Sequence, residues 1–307
     1  MTKYVVSGYI GFDNFGDEAI AHVLAEKLKK EGAEKVTFIS SNPEKTKLIH
    51  GVDSCGMLKF FKPIKETDIL ISGGGSLLQD VTSFKSLLYY LIVIFTALFL
   101  GKKVEIFAQG IGPIKSFWGR ILTKMALKLA SKITVRDTKS QELLNSWNIQ
   151  SELVQDPIFS IDLFPKNKKG IVGIQLRNFE GVDSKFLEKL ANEVKTNFSD
   201  KKIEILSLQD SIDLKVCERF KEILEQKGLN SVLYNNLSIN EVLEKISDLE
   251  YLISMRFHAN VVGIKAGVKT LAICYDPKVE KLADEYKLPC INLSDTDFSN
   301  EFEKLFK

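Results

Sequence analysis

Short apolar runs alternate with amphipathic stretches along most of the chain. KYVVSGY (3–9) has the continuous apolar character of a buried strand, and EAIAHVLAEKLKKEG (18–32) has a helical period that stops at Gly32. KVTFIS (35–40) is a second strand, and TDILISGGG (67–75) is a strand running into glycines. A strongly apolar helix follows. KKVEIFAQGIGP (102–113) and KITVRD (132–137) then predict strands, and SFWGRILTKMALKLAS (116–131) and TKSQELLNSWN (138–148) predict helices. The pattern lapses in QDPIFSIDLFPKNKKG (155–170), where two prolines, a lysine-rich patch and a glycine mark a linker. It restarts with GIVGIQLR (170–177). Further strands are predicted at 202–208, 231–235 and 269–276, with helices at 184–196, 211–227 and 239–247. LEYLISMRFH (249–258) is a strand running into a helix. Such alternation buries its apolar faces as a parallel sheet with helices on both sides. The expectation is an α/β protein of two Rossmann-like domains, residues 1–160 and 161–307, with their parallel sheets facing across a cleft.

Composition narrows the partners. The chain has 307 residues, 45% of them apolar, enough for a sizeable core. Its 42 basic and 40 acidic residues leave a formal charge of +2, so no nucleic-acid partner is expected. The four cysteines are far apart, no C-x-x-C occurs, and there are three histidines; no metal site is expected. Reduced, mostly buried thiols and a cytoplasmic location fit this pattern. MTKYVVSGYIG holds too short an apolar run for a signal peptide, and Gly8 interrupts it. The apolar run Leu87 to Leu100 is fourteen residues, broken only by Thr96, whereas a spanning helix needs about 20. A helix buried in the N-terminal domain is expected. The second reading is a helix resting on a membrane surface, with Lys102 and Lys103 beside anionic head groups.

Open parallel sheets bind ligands beyond the C-terminal ends of their strands, and the unusual residues gather there. GFDNFGDEAI has the G-x-x-x-x-G spacing of a P-loop at Gly11 and Gly16. Asp17 and Glu18 follow where a P-loop places Lys and a hydroxyl. The second strand ends Ile39-Ser40-Ser41 without the acid that a dinucleotide ribose requires. Asp13, Asn14 and Asp17 suit hydroxyls, as on a sugar; a turn and helix cap is the structural alternative. In SGGGSLLQD (72–80), Gly73, Gly74 and Gly75 could expose N–H groups to an anion, and Asp80 is a candidate base. In SMRFHANVVGIKAG, Arg256 and His258 flank Phe257 at a strand-to-helix junction, and Arg177 closes another strand. Guanidinium forks suit carboxylate or phosphate, and imidazole can move a proton near neutral pH. His22 is read as helix packing and His50 as surface.

Taken in order, GYIGFDNFGDEAI, ISGGGSLLQD, AQGIGP, ITVRD with a distant QDP, VGIQLR and SMRFHANV resemble the polysaccharide pyruvyl transferases of the CsaB-like type, over about residues 4 to 262. The resemblance implies a GT-B arrangement and transfer of pyruvate from phosphoenolpyruvate to a sugar of a cell-surface polysaccharide or its lipid-linked precursor, as a cyclic ketal. It puts Arg177, Arg256 and His258 on donor-site positions and Asp80 on the acidic position after the glycines. Phosphoenolpyruvate carries a carboxylate and a phosphate but no nucleotide, so arginines and helix N-termini suffice and no cofactor is expected. His258 is the candidate acid toward the methylene carbon. Asp13, Asn14 and Asp17 fall to the saccharide acceptor. Two rivals stay open: a GT-B glycosyltransferase using a nucleotide sugar, and a non-catalytic sugar-binding module. No motif is assigned after residue 262.

Overall fold

The computed structural model describes residues 2–306 apart from Thr82 and residues 164–169. The chain divides into two compact units, 1–161 and 162–307. The lysines of the expected linker lie outside the described residues.

Unit 1 is built on β1 (Lys3–Ser7), α1 (Phe15–Lys30), β2 (Lys35–Ser40), α2 (Pro43–His50), β3 (Asp53–Gly56), α3 (Phe61–Glu66) and β4 (Ile69–Gly73). It continues with α4 (Phe84–Phe99), β5 (Lys103–Gln109), α5 (Phe117–Lys128), β6 (Lys132–Val135), α6 (Thr138–Ser146), β7 (Glu152–Leu153) and a 3-10 turn at Pro157–Ser160. Among the described residues its strands form one parallel sheet in the order β3-β2-β1-β4-β5-β6-β7. Unit 2 comprises β8 (Ile171–Gln175), α7 (Ser184–Phe198), β9 (Lys202–Leu206), α8 (Asp210–Gln226), β10 (Ser231–Tyr234) and α9 (Ile239–Ser247). After these come β11 (Tyr251–Ser254), α10 (Phe257–Lys265), β12 (Lys269–Cys274), α11 (Pro277–Tyr286), β13 (Cys290–Asn292) and α12 (Ser299–Phe306). Its sheet is also parallel, ordered β10-β9-β8-β11-β12-β13. Both sheets therefore reverse direction once. The crevice of a doubly wound sheet lies between β1 and β4 in unit 1, and between β8 and β11 in unit 2.

The cores follow the periodicity. In unit 1, Val5, Leu70, Val104 and Ile133 of the sheet pack with Leu87, Leu91 and Ile94 of α4. In unit 2, Ile174, Ile203 and Ile253 pack with Leu187, Leu190, Phe220 and Phe302. The apolar helix expected over 87–100 is α4. It buries Leu87, Tyr90, Leu91, Val93, Ile94 and Ala97, while Phe84, Leu88, Ile92 and Phe99 are exposed. The expectation of a buried helix thus holds for one face only.

Two expectations are corrected. Cys274 ends β12 and Cys290 opens β13; these neighbouring strands bring the Cα atoms to 6.2 Å and the two are joined by a disulfide. Pairing across a sheet could not be seen from the spacing of sixteen residues. Cys55 and Cys217 are free thiols. His50 is not on the surface. It is buried, and its Nε2 lies 3.0 Å from Glu18 Oε2.

Candidate functional site

The switch point of unit 2 gathers the cationic residues singled out in the sequence. β8 and β11 pair in register from Tyr251–Val172 to Ser254–Gln175, so the chain beyond each strand emerges side by side. The two exits are stitched together. Met255 N–H donates to Gln175 O (3.1 Å), Arg177 N–H to Met255 Sδ (3.1 Å), and Arg256 N–H to Gln175 Oε1 (2.8 Å). Arg177 and Arg256 are thereby held on adjacent strand ends.

Their environments differ. Arg256 is the N-cap residue of α10, in extended geometry, but its side chain does not cap the helix. It turns into the protein. Nε donates to Asp213 Oδ2 (2.6 Å), and Nη2 donates to Asp213 Oδ1 (2.7 Å) and Gln209 Oε1 (2.9 Å). Asp213 is fully buried and Arg256 only 6% exposed, so this is a buried, two-pronged ion pair. Arg177 is half-buried and less committed. One Nη donates to Tyr275 Oη (3.3 Å), the guanidinium lies 5.6 Å from the Tyr275 ring centre, and buried Nε has no hydrogen-bond partner. His258 is the second residue of α10, its ring edge-on to Phe257. Arg256 itself makes no side-chain capping hydrogen bond to α10. The first turn of α10 is the positive end of a helix, where an anion is favoured.

The switch point of unit 1 has the opposite chemistry. Asp17 and the glycines after β4 meet there. Gly75 has φ +67°, and a Cβ on it would lie 2.7 Å from Asp17 Oδ1, so a side chain there would be strained and would displace Asp17. Gly11 is alike, with φ +83° and Ser40 Oγ where a Cβ would go. Tyr90 of α4 reaches Gly8 O; burial and the Asp17 charge push its phenol pKa up.

The remaining side chains expected to face an acceptor have partners in the protein. Asp13 Oδ1 is 2.7 Å from Lys45 Nζ in an exposed ion pair. Asn14 caps α1 through Gly16 N–H (3.0 Å). Glu18 accepts from Gly11 N–H (2.7 Å) and holds His50 with its other oxygen, bracing the loop to α2. The turn-and-cap alternative thus accounts for Asn14 and Glu18. The expected donor set is also divided: Gly73, Gly74 and Gly75 belong to unit 1, and Arg177, Arg256 and His258 to unit 2. Gly74 N–H donates to Phe107 O, and Gly75 O accepts from Gly110 N–H. These glycines let two loops run together.

Asp80 accepts from Lys115 and Ser116 N–H, both at 2.7 Å, where the chain enters α5. Burial pushes its pKa up, but the hydrogen bonds from Ser116 and Lys115 outweigh this and hold the carboxyl below its ordinary value. A carboxylate stabilised in this way is a weak base.

Three groups went unnoticed in the sequence. Asp213 lies on the buried stripe of α8 with Val216, Cys217, Phe220 and Leu224, and an acid on such a stripe signals a buried partner. Tyr275, at the end of β12, supports Arg177. Arg136 links two of the quoted motifs: it donates to Asp156 of QDP (2.7 Å) and to Ser76 Oγ after the glycines (3.2 Å). Burial pushes the Cys217 thiol to about 12, which rules it out as a nucleophile near neutral pH.

Residues 14–277 match the family described as polysaccharide pyruvyl transferase. No curated protein sequence matches the chain. Among solved structures, Anabaena Alr3699/HepE in complex with UDP-glucose is similar at 9% identity and a TM-score of 0.62, covering 100% of this chain and 89% of that one. UDP-GlcNAc 2-epimerase from Methanocaldococcus jannaschii is similar at 12% identity and TM-score 0.64, covering 100% and 92%. A glycosyltransferase from Rickettsia africae is similar at 14% identity and TM-score 0.63, covering 99% and 88%. At such identities the likeness concerns the fold, that of GT-B glycosyltransferases and epimerases.

Proposed function

The chain belongs to the polysaccharide pyruvyl transferase family, and from that premise we propose that it transfers pyruvate from phosphoenolpyruvate to two hydroxyls of one saccharide, forming a ketal. The supporting observation is in unit 2: Arg177 and the N-terminus of α10 stand on adjacent strand ends, with His258 in the first helical turn. This is provision for a small dianion.

In the proposed reaction Arg177 and the first-turn N–H groups hold the carboxylate and phosphate of the donor. Arg256, locked on Asp213, keeps α10 and the β8 exit in place. His258 protonates the methylene carbon, which becomes the methyl group. A sugar hydroxyl adds at the central carbon, the C–O bond to phosphate breaks, and a second hydroxyl closes the ketal. Of the two hydroxyl protons, one restores His258 and the other leaves with inorganic phosphate. We assign unit 1 to the saccharide, with Asp17 as its hydroxyl contact. Asp80 holds the entry to α5 and is left out of proton transfer.

The test is a phosphate-release screen with phosphoenolpyruvate across saccharide acceptors, followed by mass analysis of the acceptor. Phosphate release matched by gain of a pyruvyl ketal is expected. Thermal stabilisation by nucleotide sugars and none by phosphoenolpyruvate would hand the site to a nucleotide-sugar glycosyltransferase.

A further inference from the structure

We propose that the outer face of α4 and α5 docks on an anionic lipid bilayer. Singly scattered apolar side chains on a surface need no explanation, but a contiguous patch does. Of sixteen large apolar side chains exposed among the described residues, seven lie on these two helices and an eighth, Leu129, at the C-cap of α5. On α4 the exposed positions Phe84, Leu88, Ile92 and Phe99 fall four or seven residues apart and run along one side of the helix for about 22 Å. On α5 and its C-cap, Phe117, Trp118, Met125 and Leu129 are exposed, with Phe117 at 70% and Trp118 at 65%.

The topology turns both stripes the same way. β4, β5 and β6 are consecutive neighbours in the parallel sheet, so α4 and α5 are successive crossovers in one direction. Right-handed crossovers place both on the same face of the sheet. The two helices pack on each other, and their inner sides, including Leu87, Leu91, Ala126 and Leu127, join the core. What remains faces away from the sheet.

Charge identifies the occupant. Residues 81–132 carry eight Lys or Arg and a single acid, Glu105, whereas the whole chain has 42 basic and 40 acidic residues. Arg120, Lys124 and Lys128 recur every fourth residue of α5 beside its apolar stripe. Among the described residues no helix is long and apolar enough to cross a membrane. Apolar stripes, a tryptophan and a basic border make a helix pair that lies in the head-group layer. A second copy of this face is disfavoured, since it would oppose the basic row of one α5 to that of the other. A lipid surface is also where a lipid-carried saccharide would be met, although docking itself requires neither donor nor acceptor.

The test is co-sedimentation of the full chain with phosphatidylcholine vesicles, with and without phosphatidylglycerol, in the absence of substrates. Failure here is therefore distinct from failure of the proposed reaction. Binding is expected only with phosphatidylglycerol and should weaken at high salt. At about 1 kcal/mol per basic residue near an anionic surface, Lys124→Glu/Lys128→Glu should lower the partition coefficient roughly tenfold or more. Phe117→Ser/Trp118→Ser should lower it comparably, with circular dichroism and Tm unchanged because these side chains are exposed. Three results overturn the proposal: no sedimentation of the wild type with anionic vesicles, binding indifferent to charge reversal, or a wild-type dimer without vesicles that Phe117→Ser/Trp118→Ser converts to monomer.

Discussion

The two units repeat one topology and equip it differently. Each sheet reverses direction once, and in each the chain leaving the two central strands carries the unusual residues. In unit 1 these are glycines and acids: Gly75 lies against Asp17, Gly11 against Ser40, and Glu18 is tied to His50. In unit 2 they are Arg177, Arg256 and His258 around the start of α10. A doubly wound sheet supplies a place for a ligand, and the residues that finish its strands choose the ligand's charge. One mouth suits hydroxyls and the other an anion. This contrast, and no likeness to any one solved structure, underlies the proposed division of labour.

The contrast is broken most severely at His258. His258→Gln keeps size and some hydrogen bonding but has no transferable proton. Phosphoenolpyruvate affinity should stay near the wild-type value while turnover falls about 10²–10⁴-fold, the usual share of general acid–base catalysis. Calorimetric titration with the donor, together with initial rates at saturating donor, checks this. Near-normal turnover would remove His258 as the acid.

The two arginines should separate next. Arg256→Ala leaves fully buried Asp213 without its partner, and such losses cost about 3–5 kcal/mol. Denaturant unfolding should show unit 2 melting early. Arg256→Met/Asp213→Leu should recover most of that stability. Arg177→Ala should change stability little and weaken donor binding instead. An Arg256→Ala protein as stable as the wild type would show that the pair is not structural.

At Asp80 the question is brace or base. Asp80→Ala removes both acceptors of the Lys115 and Ser116 N–H groups and should cost about 1–3 kcal/mol in chemical denaturation. The pH–rate profile should keep its shape. Disappearance of one limb of that profile would return Asp80 to proton transfer.

The smallest effect concerns unit 1 and pH. Burial, and then the neighbouring His50, hold the His22 pKa below 6.5 in the folded protein. The unfolded chain therefore takes up this proton first as pH falls, so the contribution is fully present above about pH 6.5 and is lost below it. Tm should decline modestly on acidification from neutral pH, and His22→Gln should flatten the decline. An unchanged slope would place the sensitivity elsewhere.

Much of the architecture was legible in the chain. Strand 35–40 and helix 239–247 lie where the pattern puts them, because one buried face imposes its period on the sequence. The short elements at 43–50, 53–56 and 61–66 escaped, since each is too brief for a period to stand out. The gathering of unusual residues at strand ends was also visible, through glycines, arginines and a histidine placed where strands stop.

The partners of those residues were not visible. Asp213 is 43 residues from Arg256, His50 is 32 from Glu18, and Cys290 is 16 from Cys274. Sequence alone determined the α/β class, the motif positions and the kind of charge each could bring, because these depend on local periodicity and side-chain chemistry. Tertiary structure decided which charges are spent inside the protein and which apolar side of α4 stays outside. Contacts between distant residues depend on which strands become neighbours, and no local pattern in the chain encodes that.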